Sequence, residues 1–313
     1  MPDLTSHQVD PADEGRHPPG DEPYWNESVY LDFVADEGAV AGYVRIGLYP
    51  NLGVTWWTTV VVGRDRSLIA STAYDLPVAG GTGLVLASGG VDVSAEVLDP
   101  LTSVRVHGSA VAAAHADPAD IYRHRAGEPT RLELDLTWAT DGTPYQYDVT
   151  TRYEIPCLVT GSVTVGDERI EIDGQGQRDH SWGERDWWAF GWCWSAARLD
   201  DGTRVHLTEV RIPDLRLGMG YLQAGGKVTP LEGGSAEEVL GEHGFPVAAT
   251  TELQPGDLEL AIDPIAFGPV LLEAPDGRTS RFPRAVAHFT AADGRTGTGW
   301  IEWNQPQPVV APE

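Results

Sequence analysis

The chain has 313 residues, 41% of them hydrophobic, and a formal charge of −26 from 21 basic and 47 acidic side chains. That length suits two domains of about 150 residues, each able to bury a core of its own. So acidic a surface repels phosphate backbones and anionic headgroups, and no run reaches the ~18 apolar residues of a membrane helix, so neither nucleic acid nor membrane insertion is expected.

Residues 1–22 lack a basic start and an apolar run, so they do not read as a signal peptide; rich in Pro, Asp and Glu, they are expected to be a disordered tail. Cys157 and Cys193 each sit in an apolar stretch, where a free thiol behaves as a small hydrophobe. Both features fit a reduced, cytoplasmic protein.

From residue 28 onward the apolar period is two. Leu132, Leu134, Leu136 and Trp138 share one face, and Arg131, Glu133, Asp135 and Thr137 the other, as in a half-buried antiparallel strand. Val163 and Val165 lead into a tight turn at Gly166-Asp167, and Ile170 and Ile172 lead out. Asp-Gly pairs at 141–142, 201–202, 276–277 and 293–294 give further hairpin signals. Strands are expected over 28–35, 40–49, 54–63, 82–88, 91–98, 102–110, 130–139, 146–154 and 157–165. Seven more are expected over 168–177, 191–199, 203–212, 215–223, 269–274, 284–291 and 296–303. One short helix is expected over 235–241, where Ser235 stands as an N-cap before two glutamates. About sixteen strands suggest an all-β chain of two eight-stranded units. No Gly/Ser or Pro-rich linker divides the middle, so the units are expected to share a packed interface.

The centre is also the densest aromatic stretch. Residues 174–194 hold five of the eleven tryptophans, Trp182, Trp187, Trp188, Trp192 and Trp194, interleaved with Asp179, His180, Glu184, Arg185 and Asp186. Charges amid so much indole are costly to bury unpaired. Two explanations stand. An Asp–Arg or Asp–backbone cluster can pin a sharp turn where the domains meet. Alternatively, a carboxyl is held in an apolar cavity, where desolvation raises its pKa and keeps a proton on it. On the second, Asp179 donates the proton and His180 orients the acid or relays it. Successive strand residues point to opposite faces, so that pairing needs a turn, which Ser181-Trp182-Gly183 can supply. Trp182, Trp188, Trp192 and Trp194 then wall the cavity, each indole favouring a developing cation by about 0.5–2 kcal/mol. In the Trp56-Trp57 pair one indole faces inward and the other outward or toward the second domain, which makes Trp56 a candidate wall residue. Glu302, between Trp300 and Trp303, is a candidate second cavity carboxylate, whereas Glu184 and Asp186 read as turn residues.

Other chemistries lack their motifs. The nine histidines show no helical ligand spacing and two lone cysteines cannot build a zinc site, so no metal is expected. Phosphate-binding glycine loops and a Gly-x-Ser-x-Gly elbow are absent. Asp200-Asp201 reads as hairpin chemistry rather than a diphosphate site.

The central segment resembles the hallmark of the AttH-like and carotenoid 1,2-hydratase (hydroxyneurosporene synthase) superfamily. The matching elements are Gly174–Gln177, Asp179-His180-Ser181-Trp182-Gly183, Gly191-Trp192-Cys193-Trp194 and Leu199-Asp200-Asp201-Gly202, with the hairpin 160–172 before them. Residues 25–53 and 297–305 are similar to an uncharacterised bacterial branch of that group. The resemblance implies two consecutive lipocalin-like antiparallel β-barrels packed against each other, over 23–174 and 175–313. It also implies an apolar substrate handled without metal or organic cofactor, with the proton donor falling on Asp179. Arg178 stands where relatives often carry an aromatic, and pairing with Asp179 would lower that carboxyl's pKa.

The function expected is a cofactor-independent enzyme acting on an isoprenoid, lipid or polyketide-like substrate by proton-initiated hydration, isomerisation or cyclisation. A non-catalytic carrier or sensor of a lipophilic molecule needs the same cavity but no acid.

Overall fold

A computed structural model of the chain describes residues 8–80 and 83–307. Among these residues there is no α-helix; alternation and turn chemistry lead almost everywhere to antiparallel pairing. The strands of the first half are β1 (Trp25–Ala35), β2 (Val40–Tyr49), β3 (Val54–Val62), β4 (Leu68–Pro77), β5 (Leu84–Ser88), β6 (Val91–Asp99), β7 (Ser103–His115), β8 (Glu128–Thr140), β9 (Tyr145–Gln146), β10 (Arg152–Val165) and β11 (Glu168–Glu184). The second half holds β12 (Gly191–Leu199), β13 (Arg204–Ile212), β14 (Leu215–Ala224), β15 (Lys227–Pro230), β16 (Gly233–Leu240), β17 (Pro246–Gln254), β18 (Leu258–Phe267), β19 (Val270–Glu273), β20 (Thr279–Phe282), β21 (Arg284–Ala291) and β22 (Thr296–Gln307). Several hairpins turn where expected: Gly166, Gly202, Gly277 and Gly294 all take positive φ.

The first sheet runs β4-β3-β2-β1-β11-β10-β8-β7-β6-β5, and a β4–β7 pairing closes it into a barrel. The second runs β15-β14-β13-β12-β22-β21-β18-β17-β16 and stays open, with β16 lying against β14. The architecture is therefore all-β, with two lipocalin-like units, one closed and one a half-barrel. The expected boundary at 174/175 falls inside β11; the chain changes sheets between Glu184 and Gly191.

Three large apolar clusters and a smaller one, of Tyr145, Tyr147 and Tyr221, hold the described residues together. Trp57, Trp138, Tyr153 and Ile155 fill the first barrel, and Trp303, Phe289, Leu253 and Cys193 fill the second unit. Between them lies a third cluster drawn from both, including Tyr30, Tyr43, Tyr49, Trp56, Trp187, Trp194 and Trp300. Polar bonds cross the same interface: the Tyr43 hydroxyl donates to the Gly268 carbonyl at 2.9 Å, and Trp300 Nε1 donates to the Phe33 carbonyl at 3.1 Å. Gly268 must remain bare for this approach, since an added Cβ would stand 2.7 Å from Val60 Cγ2.

Three expectations are corrected. Residues 235–241 are not helical; 235–240 belong to β16, where Ala236 is buried and paired with Thr251, so cross-strand pairing outweighs the local preference of two glutamates. Strands β4, β15, β17, β18 and β20 had not been expected, being short, rich in Ala and Thr or edged by Pro. Residues 8–22, expected to be disordered, dock on the first barrel through charges. Arg178 Nη2 donates to Glu14 Oε1 at 2.7 Å, and Arg16 donates to the carbonyls of Ala79 and Gly83 at 2.7 Å each. Residues 1–7 of the expected tail lie outside the described residues.

Candidate functional site

Strand β11 is the pivot of the site because it separates two cavities. Its register pairs Asp179 with Tyr30 of β1 on one side and with Glu154 of β10 on the other. Alternation then sends Asp179 and Ser181 toward the second sheet, and Arg178, His180 and Trp182 toward the first barrel.

On the inter-sheet side lies a cavity of about 500 Å³. Tyr30, Arg45, Arg152 and Asp179 line it from the first sheet, and Trp192, Trp194, Leu217, Met219, Arg284 and Glu302 from the second. The 185–190 connection adds Arg185, Trp187 and Phe190. Arg152 holds two carboxylates: its Nη2 donates to Asp179 Oδ2 at 2.8 Å, and its Nε to Glu154 Oε1 at 2.8 Å. Glu154, fully buried, also accepts from Gln177 Nε2 at 2.9 Å and from Trp194 Nε1 at 3.0 Å. Asp179 has no comparable set of donors. Burial pushes its carboxyl up to about 7; Arg152 pulls the other way and Glu154 adds to the rise. A carboxyl that keeps a share of its proton near neutral pH thus opens on an indole-lined chamber. Behind it, burial drives His206 down to about 3, so it is neutral; its ring meets the Tyr147 hydroxyl at the cavity wall and the Ser195 carbonyl at 2.9 Å.

Of the residues singled out in the sequence, Asp179, Trp192, Trp194 and Glu302 meet at this cavity. Trp192 Nε1 donates to Glu302 Oε1 at 3.0 Å, and Arg284 ion-pairs with Glu302. His180 and Trp182 do not join them, because β11 continues as a strand through Ser181 and no turn brings both faces together. Trp56 and Trp188 are packed in the inter-sheet core, Trp56 against Tyr49 and Trp188 with its Nε1 on the Leu272 carbonyl, and neither lines the chamber. Arg178 faces Glu14 rather than Asp179, so the expected clamp does not form; Arg152 takes that place from the neighbouring strand. Arg45, Arg152, Glu154, Tyr30 and Arg284 had not been singled out. A lone arginine in the otherwise apolar β2 was the available signal for Arg45.

The opposite face of β11 meets a second cavity, of about 760 Å³, under the docked segment, lined by Glu14, Glu27, Val29, Leu31, Arg178 and His180. Here Glu27 Oε1 lies 2.7 Å from His17 Nδ1 and 3.1 Å from His180 Nε2, and the His17 ring stacks on Trp182 at 3.8 Å. Burial raises the Glu27 pKa, but hydrogen bonds from His180 and His17 outweigh it and hold the carboxyl below its ordinary value. Ligand-type atoms of His17, Glu27 and His180 all lie within 4.8 Å of one another, and they are already bonded among themselves.

A family described as "Domain of unknown function (DUF7064)" matches residues 10–307. No curated protein matches the chain in sequence. Among solved structures the chain is similar to a protein from Nitrosomonas europaea described as an AttH, with TM-score 0.69 at 16% identity over 99% of this chain and 100% of that one. It is similar to kievitone hydratase from Nectria haematococca, with TM-score 0.62 at 11% identity over 90% and 88% of the two chains. It is also similar to CghA solved with Sch210972, with TM-score 0.57 at 13% identity over 90% and 89%. These likenesses establish a shared two-unit fold.

Proposed function

We propose that this chain, which belongs to the DUF7064 family, is an enzyme that protonates a largely apolar substrate in the inter-sheet cavity. Asp179 is the acid, and the substrate class is isoprenoid, lipid or polyketide-like. The observation that carries the reading is one carboxyl, raised to about 7 by burial, opening on a chamber walled by Tyr30, Trp192 and Trp194. Two carboxylates share Arg152, but Glu154 has three donors and Asp179 one, so the pair divides into an anchor and an acid.

Proton transfer from the Asp179 carboxyl to a substrate double bond forms a C–H bond and leaves a carbocation facing the indoles. Water captures the cation and gives up a proton (hydration), a neighbouring carbon gives up a proton (isomerisation), or an internal double bond attacks and the new cation it leaves gives up a proton (cyclisation). The released proton goes to the Asp179 carboxylate or to water. Arg152 holds the Asp179 carboxylate until it is reprotonated. No cofactor is required for these steps. The fold shared with kievitone hydratase supports hydration as the first reaction to try.

The test is incubation with an extract of apolar metabolites in deuterated water, followed by mass spectrometry. A product carrying one non-exchangeable deuterium on carbon is expected, and Asp179→Asn should lower its rate by roughly 10²–10⁴-fold. Retention of a metabolite that is returned unlabelled would instead identify a carrier.

A further inference from the structure

Two arginines in the inter-sheet cavity are bound less completely than their burial demands. Arg45 of β2 is only 8% exposed, lies with its guanidinium 4.7 Å over the Trp187 ring, and approaches the Tyr49 hydroxyl. Its Nη2 has no hydrogen-bond partner, and among the described residues no carboxylate pairs with it. Arg284 of β21 is 5% exposed and stands 4.7 Å over the Tyr43 ring. It is ion-paired to Glu302, yet its Nη1 also lacks an acceptor. A buried N–H without an acceptor is costly, more so on a charged group, and packing alone does not account for two such guanidiniums lining one cavity.

The register shows how the two are aimed. In the first sheet Arg45 pairs with Tyr30, and Tyr30 with Asp179, giving a row across β2, β1 and β11. In the second, Arg284 pairs with Glu302, and Glu302 with Trp194, giving a row across β21, β22 and β12. All six side chains line the same cavity. Arg284 stands over Tyr30 of β1 and Tyr43 of β2, so β21 lies beside β2; that side of the chamber offers two guanidiniums against Glu302, and the β10–β11 side offers Asp179 paired with Arg152. Guanidinium N–H groups left over in this way match a carboxylate, enolate or sulfonate oxygen, and desolvation strengthens that pairing.

We propose that the ligand is amphipathic, with an oxygen-anion head group received by Arg45 and Arg284 and an apolar body extending along the tryptophans toward Asp179. This rests on the inter-sheet cavity being the ligand site, and it names what the ligand must carry there. The head group fixes which carbon of the body stands next to the acid, so Arg45 and Arg284 position the substrate without taking part in proton transfer.

The test uses two fluorescent probes with one aromatic body, 1-anilinonaphthalene-8-sulfonate and the uncharged N-phenyl-1-naphthylamine, titrated into the full chain. The wild type should bind the sulfonate more tightly. Arg45→Met should weaken the sulfonate at least tenfold, leave the neutral probe within twofold, and melt at the same or a higher temperature without ligand. Arg45→Lys should recover part of the sulfonate affinity. Equal loss of both probes, no loss of either, or a lower melting temperature for ligand-free Arg45→Met overturns the proposal. Binding of neither probe to the wild type removes the cavity as a ligand site, and both readings fall with it. A sulfonate preference that follows Arg45, without deuterium transfer in any extract, keeps the head-group site and removes only the acid.

Discussion

Asp179 and Glu154 stand opposite each other on β11 and β10, share one guanidinium, and differ in how many other donors they meet. That difference has a pH signature. The folded Asp179 pKa of about 7 lies above its ordinary 3.8, so the folded protein holds this proton over a range where the unfolded chain has lost it. Stability from this group is therefore greatest at low pH and falls as pH rises through about 7. Asp179→Asn should remove that fall, so its melting temperature should gain on the wild type between pH 4 and pH 7 in a thermal-shift series. Turnover in the wild type should decline with a one-proton slope above pH 7, and an activity that rises there would remove Asp179 as the acid. Arg152→Met should behave differently from Asp179→Asn. It strands the buried Glu154 charge with Gln177 and Trp194 alone, and chemical denaturation should show a loss of about 3–5 kcal/mol.

The N-terminal segment shows an element whose order comes from distant charges. Glu14 meets Arg178, and His17 meets Glu27, a partner that also receives His180. The Glu27 carboxyl is held below its ordinary 4.5, so its contribution is complete above that value and is lost as pH falls through the lower folded one. Acidification below about pH 4.5 should release residues 8–22, and Glu27→Gln should release them at neutral pH; limited proteolysis in the segment reads both. A segment that stays protected in Glu27→Gln would place its anchoring elsewhere. Composition made this stretch look disordered because it has almost nothing apolar to bury, and a sequence read locally does not show a guanidinium 164 residues away. The same limit hid Arg152, which reaches Asp179 only through the β10–β11 register. By contrast, the alternation of β11 was legible as far as residue 177; beyond it a turn at Ser181-Trp182-Gly183 was expected, and the continuation of the strand to Glu184 is what parts Asp179 from His180.

At the scale of the whole molecule, strand periodicity and Asp-Gly turns were enough to indicate two β units, because each strand reports its own burial pattern. Closure is a different property: it depends on whether edge strands meet, here β4 with β7, and β4 was among the strands the sequence left unmarked. The interface was foreshadowed by tryptophans in the middle of the chain, yet the most buried of its tryptophans is Trp300, near the other end. Trp300 is 1% exposed, packs edge-on to Tyr43 of the first barrel at 5.5 Å, and bonds the Phe33 carbonyl. One side chain of the second unit thus completes the surface of the first. If the shared cluster couples the units, calorimetry should show one transition with equal calorimetric and van't Hoff enthalpies. Trp300→Ala should lower stability by about 3–5 kcal/mol and split the transition, as each unit then melts without its partner's support. Trp300→Phe keeps an aromatic ring but loses part of the indole's volume together with the bond to Phe33, so it should cost about 1–3 kcal/mol and leave a single transition. Two transitions already present in the wild type would mean that the units are held side by side without being coupled, and the cavity between them would then open before either sheet unfolds.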